Sequence, residues 1–557
     1  FIKFLLWKRK HNLKKMSHSL VDVLSALMSS DNNVRKEAEA YFSGVMLEAH
    51  LDQTVSGLIN EMSRKDQDLV IRSFCGVLLR RVFDRSGKYA ERFTKERTAE
   101  IRSGLLTIWS QEDNNLLLRR LSHVIAQCAA GGQWLDLLPL TISQEQSLSE
   151  DGKISLFNLI ETIAEYCPDD ILTHIKTLVG FLSAYIASSN VKIQVACART
   201  TVACIAATDD ENARMAFKPA LQLVIDILGA TLSRGDEVDA VQIMENLVDI
   251  AEIQPLFFKG VLDNVVHAML TVAGSNTLEF STRSTALELM VTLTETAPAL
   301  ARRCVPLVQG IIPLALRVML EVEEEDSDWA KGEYSDESVE DNYVVGEEAI
   351  ERVGGGIGGR VVVPLVVSAV GEAANSGEWR VRRAAVAALC RLAEGCTESF
   401  MQHLESSLSF LVTTLNDTSP MVQYQSIQTV GRFASLYSEK LDIMIPQFIP
   451  ILTSLLQSSH VCERVRGHCA SALINLTNPE NCSPTLIGPY LDGMLSGLVM
   501  CLQNASMSVQ SPCLSLLGCV AQVAEDAFIP YYSAFMPGIK QILRSTSSSS
   551  LSLSLSL

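Results

Sequence analysis

One helix-forming pattern returns about every forty residues along this chain, and that recurrence limits the possible folds more than any other feature. Its copies occupy residues 67–83, 114–129, 190–206, 281–298, 378–396, 419–437, 462–477 and 506–525. Each places apolar residues three and four apart, the signature of an amphipathic helix. In the last four copies the opening valines are Val381, Val422, Val465 and Val509, separated by 41, 43 and 44 residues. Helix pairs recurring at about 40–47 residues mark HEAT or armadillo repeats. The same design opens the chain, where a turn at 30–33 leads into a helix carrying Val34, Ala38, Tyr41 and Phe42 on one face. Partner helices are expected just ahead of the copies, as at 448–459 and 490–504. Pro446, Pro450, Pro489, Pro530 and Pro537 are expected near helix starts, where a missing N–H costs least. No series of segments alternates with period two. The expected fold class is therefore all-α, a HEAT-repeat (α-α superhelix) solenoid of about a dozen repeats. A single pair cannot bury its apolar face, so neighbours stack and leave a long concave surface for binding partners.

Size and charge narrow the function. The chain has 557 residues, 48% of them hydrophobic but only 6% aromatic, so small and branched aliphatics must build an extended core. A net charge of −18 argues against nucleic acid as the main partner, since phosphate binding needs clustered Lys and Arg, and favours a basic partner. The 14 cysteines, among them Cys75, Cys128, Cys204, Cys390 and Cys469, lie inside helical patterns with no CxxC pair and no zinc-ligand spacing. Buried thiols in a reducing compartment account for them. No apolar run is expected to reach the roughly 18 residues of a membrane span. The Asn-x-Ser/Thr matches at Asn416, Asn475, Asn481 and Asn504 carry little weight in such a chain.

Residues 321–351 form the one long acidic run, with Lys331 as its sole base. Such a block is a solvated loop or an electrostatic arm for a basic partner. The repeats place it between two helices of one mid-chain pair, and it is expected to be mobile alone and engaged when a partner binds. The stretch at 354–359, GGGIGG, formally matches G-x-G-x-x-G, but no βαβ unit surrounds it, and an inter-helix turn is expected. Without a Walker A, HExxH or GxSxG sequence, no catalytic, cofactor or metal site is assigned and an enzyme is not expected. His460 and His468, near Cys462 and Cys469, are accounted for by an apolar face. Glu394, Gln428, Asn475 and Glu525 sit in the second halves of repeat helices. They are either ordinary solvated positions or a row of oxygen acceptors for the lysines of an extended basic peptide.

From about 17 to 543 the chain resembles the N-terminal half of an importin-β (karyopherin-β) superfamily nuclear transport receptor, most like the importin-5 (karyopherin β3) branch. The residues that carry this are LLRRVFD at 78–84, DSDWA at 326–330, GEEAIERVGGGIGGRVVVP at 346–364 and WRVRRAAVAALCRLAEGC at 379–396, with ASALINLT and FIPYYSAFMP further on. The resemblance implies a nuclear import receptor that binds basic, Lys-rich cargo (ribosomal or histone-like) on its concave face and releases it when Ran·GTP binds. It further implies contact with Phe-Gly nucleoporins, shuttling between cytoplasm and nucleus, and a monomer with no direct nucleic acid or membrane partner. Cargo contacts would fall on Glu351, Glu394, Gln428 and Asn475, with Gln428 standing where the branch has Asn. At Leu436 the branch tends to have an acid. Ran contacts would fall on Arg80 and Arg81 and on Glu323, Glu324, Glu325, Asp326 and Asp328. The family carries about as many repeats again beyond this point. The alternative is a HEAT scaffold subunit of a multiprotein complex, such as one organising a phosphatase, which has no reason to carry the acidic run.

The expected organisation is a non-native or disordered basic leader at 1–15 with Met16 as the start, then Ran-side repeats at 16–320. The acidic insertion at 321–351 and cargo-side repeats at 352–544 follow. Residues 545–557 are a low-complexity tail, read as artefactual.

Overall fold

A computed structural model describes residues 19–84, 88–130, 134, 136–321, 330 and 341–537. The expected leader, the low-complexity tail and residues 322–329 and 331–340 of the acidic run lie outside them, whereas residues 341–351 of that run are not loop but the start of a helix. The described residues form helices and the turns that join them, with no strand among them, and the all-α HEAT-repeat solenoid is the observed fold class.

The chain folds as a succession of helix pairs, numbered here so that odd helices come first in each pair. Six pairs lie in residues 1–253: α1 Leu20–Leu27 with α2 Asn32–Tyr41, α3 Leu51–Ser63 with α4 Leu69–Val82, and α5 Lys95–Gln111 with α6 Asn115–Ala130. They continue as α7 Leu137–Ser143 with α8 Glu150–Tyr166, α9 Ile175–Tyr185 with α10 Val191–Ala206, and α11 Leu221–Ser233 with α12 Glu237–Ile253. Residues 254–557 form a second unit: α13 Leu262–Ala273 with α14 Phe280–Thr296, α15 Val305–Val318 with α16 Asp341–Ile357, and α17 Gly359–Ala373 with α18 Trp379–Gly395. It ends with α19 Leu404–Thr414 and α20 Pro420–Leu436, α21 Leu441–Gln457 and α22 Glu463–Leu476, and α23 Leu491–Asn504 and α24 Met507–Ala524.

Within each unit, even helices stack on even helices: α4 through α12 in the first, α14 through α24 in the second. The sequence explains why. The opening valines Val422, Val465 and Val509 are fully buried, and the row they begin continues on α22 through Cys469 and Leu473 at i, i+4 and i+8. Short polar side chains start several of these helices. Asp68 accepts from the Val70 N–H at 2.7 Å, and Asn190 accepts from Lys192 and Ile193, satisfying donors that a first turn leaves open.

A ladder of buried ion pairs fixes one pair onto the next. Arg72 at the start of α4 bonds Glu112 ahead of α6. Arg283 on α14 bonds Glu321 at 2.7 Å, and Arg382 on α18 grips Asp417 through two bonds of 2.7 Å. Burial pushes the Asp417 carboxyl upward, but the Arg382 guanidinium and the backbone N–H groups of Ser419 and Thr418 together hold the group below its ordinary value. Glu321 is likewise held low by its hydrogen bond to Arg283.

The structure departs from the sequence expectations at several places. Residues 354–357 of the glycine run are not a turn but the end of α16; the chain turns only at Gly358, whose φ of +99° favours glycine. The run exists because α16 is pressed between neighbours. A Cβ at Gly356 would lie 2.6 Å from the Thr294 carbonyl oxygen of α14, and one at Gly354 would lie 2.9 Å from Cys396 Sγ. Pro446 and Pro450 sit inside α21, which begins at Leu441 rather than near 448. Val34 is exposed rather than core-facing, since α2 buries Ala38 and passes into a π-helix at Phe42–Leu47. Three stretches, Glu211–Ser233, Pro484–Gln503 and Met507–Pro537, are long and apolar enough by length and composition to cross a membrane, against the expectation of none. Each joins a main helix to a 3-10 turn, so the apolar run outlasts any single helix, and one face is built into a repeat.

Candidate functional site

Register between even helices sets the site. Contacts run N-terminal part to N-terminal part: Arg383 of α18 lies over the Tyr343 ring of α16 at 4.0 Å, and Arg464 of α22 over the Tyr424 ring of α20 at 5.4 Å. They also run C-terminal part to C-terminal part, where Arg432 of α20 bonds Glu394 of α18 at 3.1 Å and Asn475 of α22 bonds the Gly431 carbonyl of α20 at 3.3 Å. The four helices α16, α18, α20 and α22 are therefore parallel, and residues one repeat apart line up side by side.

Between them lies an open cavity of about 670 Å³. Its C-terminal edge holds three residues expected to meet cargo: Glu394, Gln428 and Asn475. Asn475 donates its amide N–H to Gly431, which fixes the side chain and leaves the oxygen as an acceptor. Gly431 makes room for it, since a Cβ there would sit 3.0 Å from the Asn475 nitrogen. Gln428 is exposed. Glu394 is not an open carboxylate, for it accepts from Arg391 at 3.0 Å and from Arg432 at 3.1 Å. Glu351 does not line the cavity itself and joins it through Arg391, at 3.4 Å. Glu525 lies outside it, and Leu436 is half-buried at the end of α20.

The opposite, N-terminal edge carries Tyr343, Arg383, Tyr424, Arg464 and His468. Tyr343 is buried, its hydroxyl donating to Gln425 at 3.1 Å, and burial raises its phenol well above the ordinary value. His468 packs on Tyr424 with ring centres 4.1 Å apart, so it belongs to this wall rather than to a plain apolar face. Sequence reasoning missed these residues and the cavity arginines. Stepping by the repeat length would have found them: Asn475, Arg432, Arg391 and Glu351 lie 43, 41 and 40 residues apart, and Tyr343, Arg383, Tyr424 and Arg464 lie 40, 41 and 40 apart.

In the first unit, Arg80 and Arg81 end α4 and are both exposed. Arg80 donates to the Tyr166 hydroxyl of α8 at 2.8 Å. Glu323, Glu324, Glu325, Asp326 and Asp328 fall outside the described residues. A smaller cavity of about 300 Å³ opens between α6, α8, α10 and α12 beside Arg199, which is tied to Glu161 and Asp239.

Family profiles match this chain in three places: "IPO5-like, TPR repeats" over residues 113–268, "Importin repeat" over 275–364 and "HEAT-like repeat" over 379–433. Importin subunit beta-3 of Saccharomyces cerevisiae is 26% identical over 552 residues, covering 95% of this chain. Along nearly its whole length the chain is thus similar to importin-β family proteins. A probable importin-5 homolog of Dictyostelium discoideum is 23% identical and covers 95% of the chain. Crystal structures of Kap121p align with a TM-score of 0.82 at 26% identity, covering 95% of this chain and 51% of that one. Kap121p bound to RanGTP aligns with a TM-score of 0.81 at 26% identity, covering 94% and 50%. The chain spans about half the length of the curated relatives it matches, 50% and 49% of them.

Proposed function

We propose that this chain forms the cargo-capturing and Ran-engaging part of a nuclear import receptor. The observation that carries the reading is the cavity: three successive repeat helices bring Glu394, Gln428 and Asn475 to one edge of a single open space. Amide and carboxylate oxygens side by side suit the lysine ammonium groups of an extended chain. Asn475 is the pre-positioned acceptor, and Gln428 extends the row. A lysine reaching Glu394 exchanges with Arg432, whose side chain is 63% exposed and whose bridge is correspondingly weak.

Ran·GTP is the second partner, engaging Arg80, Arg81 and the acidic residues Glu323 to Asp326 and Asp328. Kap121p has been solved with RanGTP, with Pho4p and with Nup53p, and these complexes support extending a Ran, cargo and nucleoporin repertoire to this chain. Its role is binding rather than catalysis, with basic cargo, Phe-Gly nucleoporins, a monomeric state and shuttling between cytoplasm and nucleus as parts of the same reading. Residues 16–320 would serve the Ran side and 352–544 the cargo side. If both ligands act on one receptor, each lowers the other's affinity by the same factor.

The test is release. A labelled Lys-rich peptide bound to the protein is titrated with Ran loaded with GTP or with GDP. Displacement by the GTP form alone is expected; equal displacement by both, or by neither, contradicts the reading.

A further inference from the structure

Arg391, Arg432 and Asn475 are each the thirteenth residue of their helices, α18, α20 and α22. Parallel packing sets the three positions side by side, yet it holds the two arginines very differently. Arg391 meets three carboxylates: Glu394 of its own helix at 3.0 Å, and Glu347 and Glu351 of α16 at 3.1 Å and 3.4 Å. One repeat on, Arg432 has Ser435 where Arg391 has Glu394, and Ala388 and Leu392 stand where Glu347 and Glu351 would serve it. Arg432 is left with one partner among the described residues, Glu394 itself, which its Nε approaches at 3.1 Å. The two arginines therefore share that carboxylate unequally, Arg391 being 28% exposed and Arg432 63%.

Three carboxylates facing two guanidinium groups leave the cluster one negative charge. Arg391, deeper and bonded three ways, is the fixed cation. Arg432 is the exchangeable one, held through a single nitrogen rather than by the paired bonds of a guanidinium fork. A single contact at this exposure favours the closed state by no more than about fivefold. It still competes, because an arm tethered to the neighbouring helix presents its charge at an effective concentration on the order of millimolar. Both oxygens of Glu394 are then covered, Oε2 by Arg391 and Oε1 by Arg432. The Asn475 amide, by contrast, commits its N–H to Gly431 and keeps its oxygen for a ligand.

We propose that Arg432 is a built-in competitor for cargo: its guanidinium stands at Glu394 where a lysine ammonium of the bound segment would stand, and it weakens that one contact. A lysine at Asn475 meets no such rival, so the site weighs two lysines of one segment unequally. This rests on the cargo reading above and adds what limits the affinity of that site.

The test compares wild type with Arg432→Gln and Arg432→Lys. The ligands are a peptide with two lysines and the two versions in which one lysine or the other is norleucine. Affinities are measured by fluorescence anisotropy at low salt on the whole chain, with helical content checked for each variant. Arg432→Gln is expected to bind the two-lysine peptide about three- to sixfold tighter than wild type, the gain set by the lost competition. Arg432→Lys restores a tethered cation and should stay within twofold of wild type. Norleucine at one lysine should abolish the gain, and norleucine at the other should leave it. An equal gain for all three peptides would reveal a general charge effect and overturn the competitor. No gain, or a loss, in a folded Arg432→Gln would likewise overturn it, while wild-type binding that Asn475→Lys weakens leaves the cargo reading standing. If wild type binds none of the peptides and Asn475→Lys changes nothing, both fall together.

Discussion

At the scale of single residues, much of the molecule's electrostatics is hidden inside the stack. Asp170, in the short helix Pro168–Thr173, is 8% exposed, and its Oδ2 meets no hydrogen-bond donor among the described residues. Burial raises its carboxyl to about 6. A folded value above the unfolded one means the fold is favoured while the group is protonated and loses stability as pH climbs from about 4 through 6. Two units at about 1.4 kcal/mol each set an upper bound near 3 kcal/mol on the cost at neutral pH. Asp170→Asn is therefore expected to stabilise its repeat by about 1–2 kcal/mol at pH 8, with the advantage gone by pH 4. Because stability in repeat proteins is local, the readout is hydrogen exchange of the α8 to α10 amides rather than one global melt. An unchanged exchange rate at pH 8 would count against the assignment.

A second residue pair separates two kinds of glycine. Gly355 is exposed with nothing within 4 Å of a would-be Cβ, whereas Gly356 faces the Thr294 carbonyl at 2.6 Å. Gly355→Ala should stabilise α16 by about 0.5–1 kcal/mol through the loss of backbone freedom alone. Gly356→Ala should destabilise by about 1–3 kcal/mol, since backbone must move to admit the methyl. Denaturation midpoints that shift in the same direction for both would contradict the packing described here.

Among elements, the even helices were legible and the odd ones less so. The spans read from periodicity agree with α4, α6, α10, α14, α18, α20, α22 and α24 to within one or two residues at each end, because these helices carry both an apolar row and a polar start. Helices α8 and α12 have the same form, but no copy was assigned to them. The start of α21 was misplaced because Pro446 and Pro450 read as first-turn prolines, yet solvent-side positions tolerate the lost N–H when the opposite face, with Met444, Ile445, Phe448 and Ile449, is fully buried. At the site, Glu394, Gln428 and Asn475 were legible as polar residues in second halves of helices. Their arginine partners were not, because pairing depends on registry between helices some forty residues apart, which local periodicity does not reveal. That registry rests on the ion-pair ladder. Removing one partner of a buried pair costs about 3–5 kcal/mol, so Arg382→Met, which leaves Asp417 buried among its remaining neighbours, should open α18 and α20 by amounts of that order. Hydrogen exchange that speeds in α18 and α20 but not in α4 or α6 is the expected pattern; no change in either region would show that the ladder does not hold the stack.

For the whole molecule, charge is the lever. A chain of −18 that takes up lysines should do so more weakly as salt shortens the Debye length from about 10 Å at 0.1 M to about 3 Å at 1 M. A Lys-rich peptide whose affinity is the same at low and at physiological salt would deny electrostatic capture. The most direct measurement is the affinity of that peptide, by fluorescence anisotropy, for the wild-type chain and for Gln428→Lys and Asn475→Lys variants. These side chains face the open cavity, so the fold should survive each change while an ammonium is placed where the peptide's own lysine would sit. A tenfold or greater loss of affinity for Asn475→Lys, with a smaller loss for Gln428→Lys, is the expected result. Wild-type affinity in both variants, with their helical content intact, would show that cargo does not bind in this cavity.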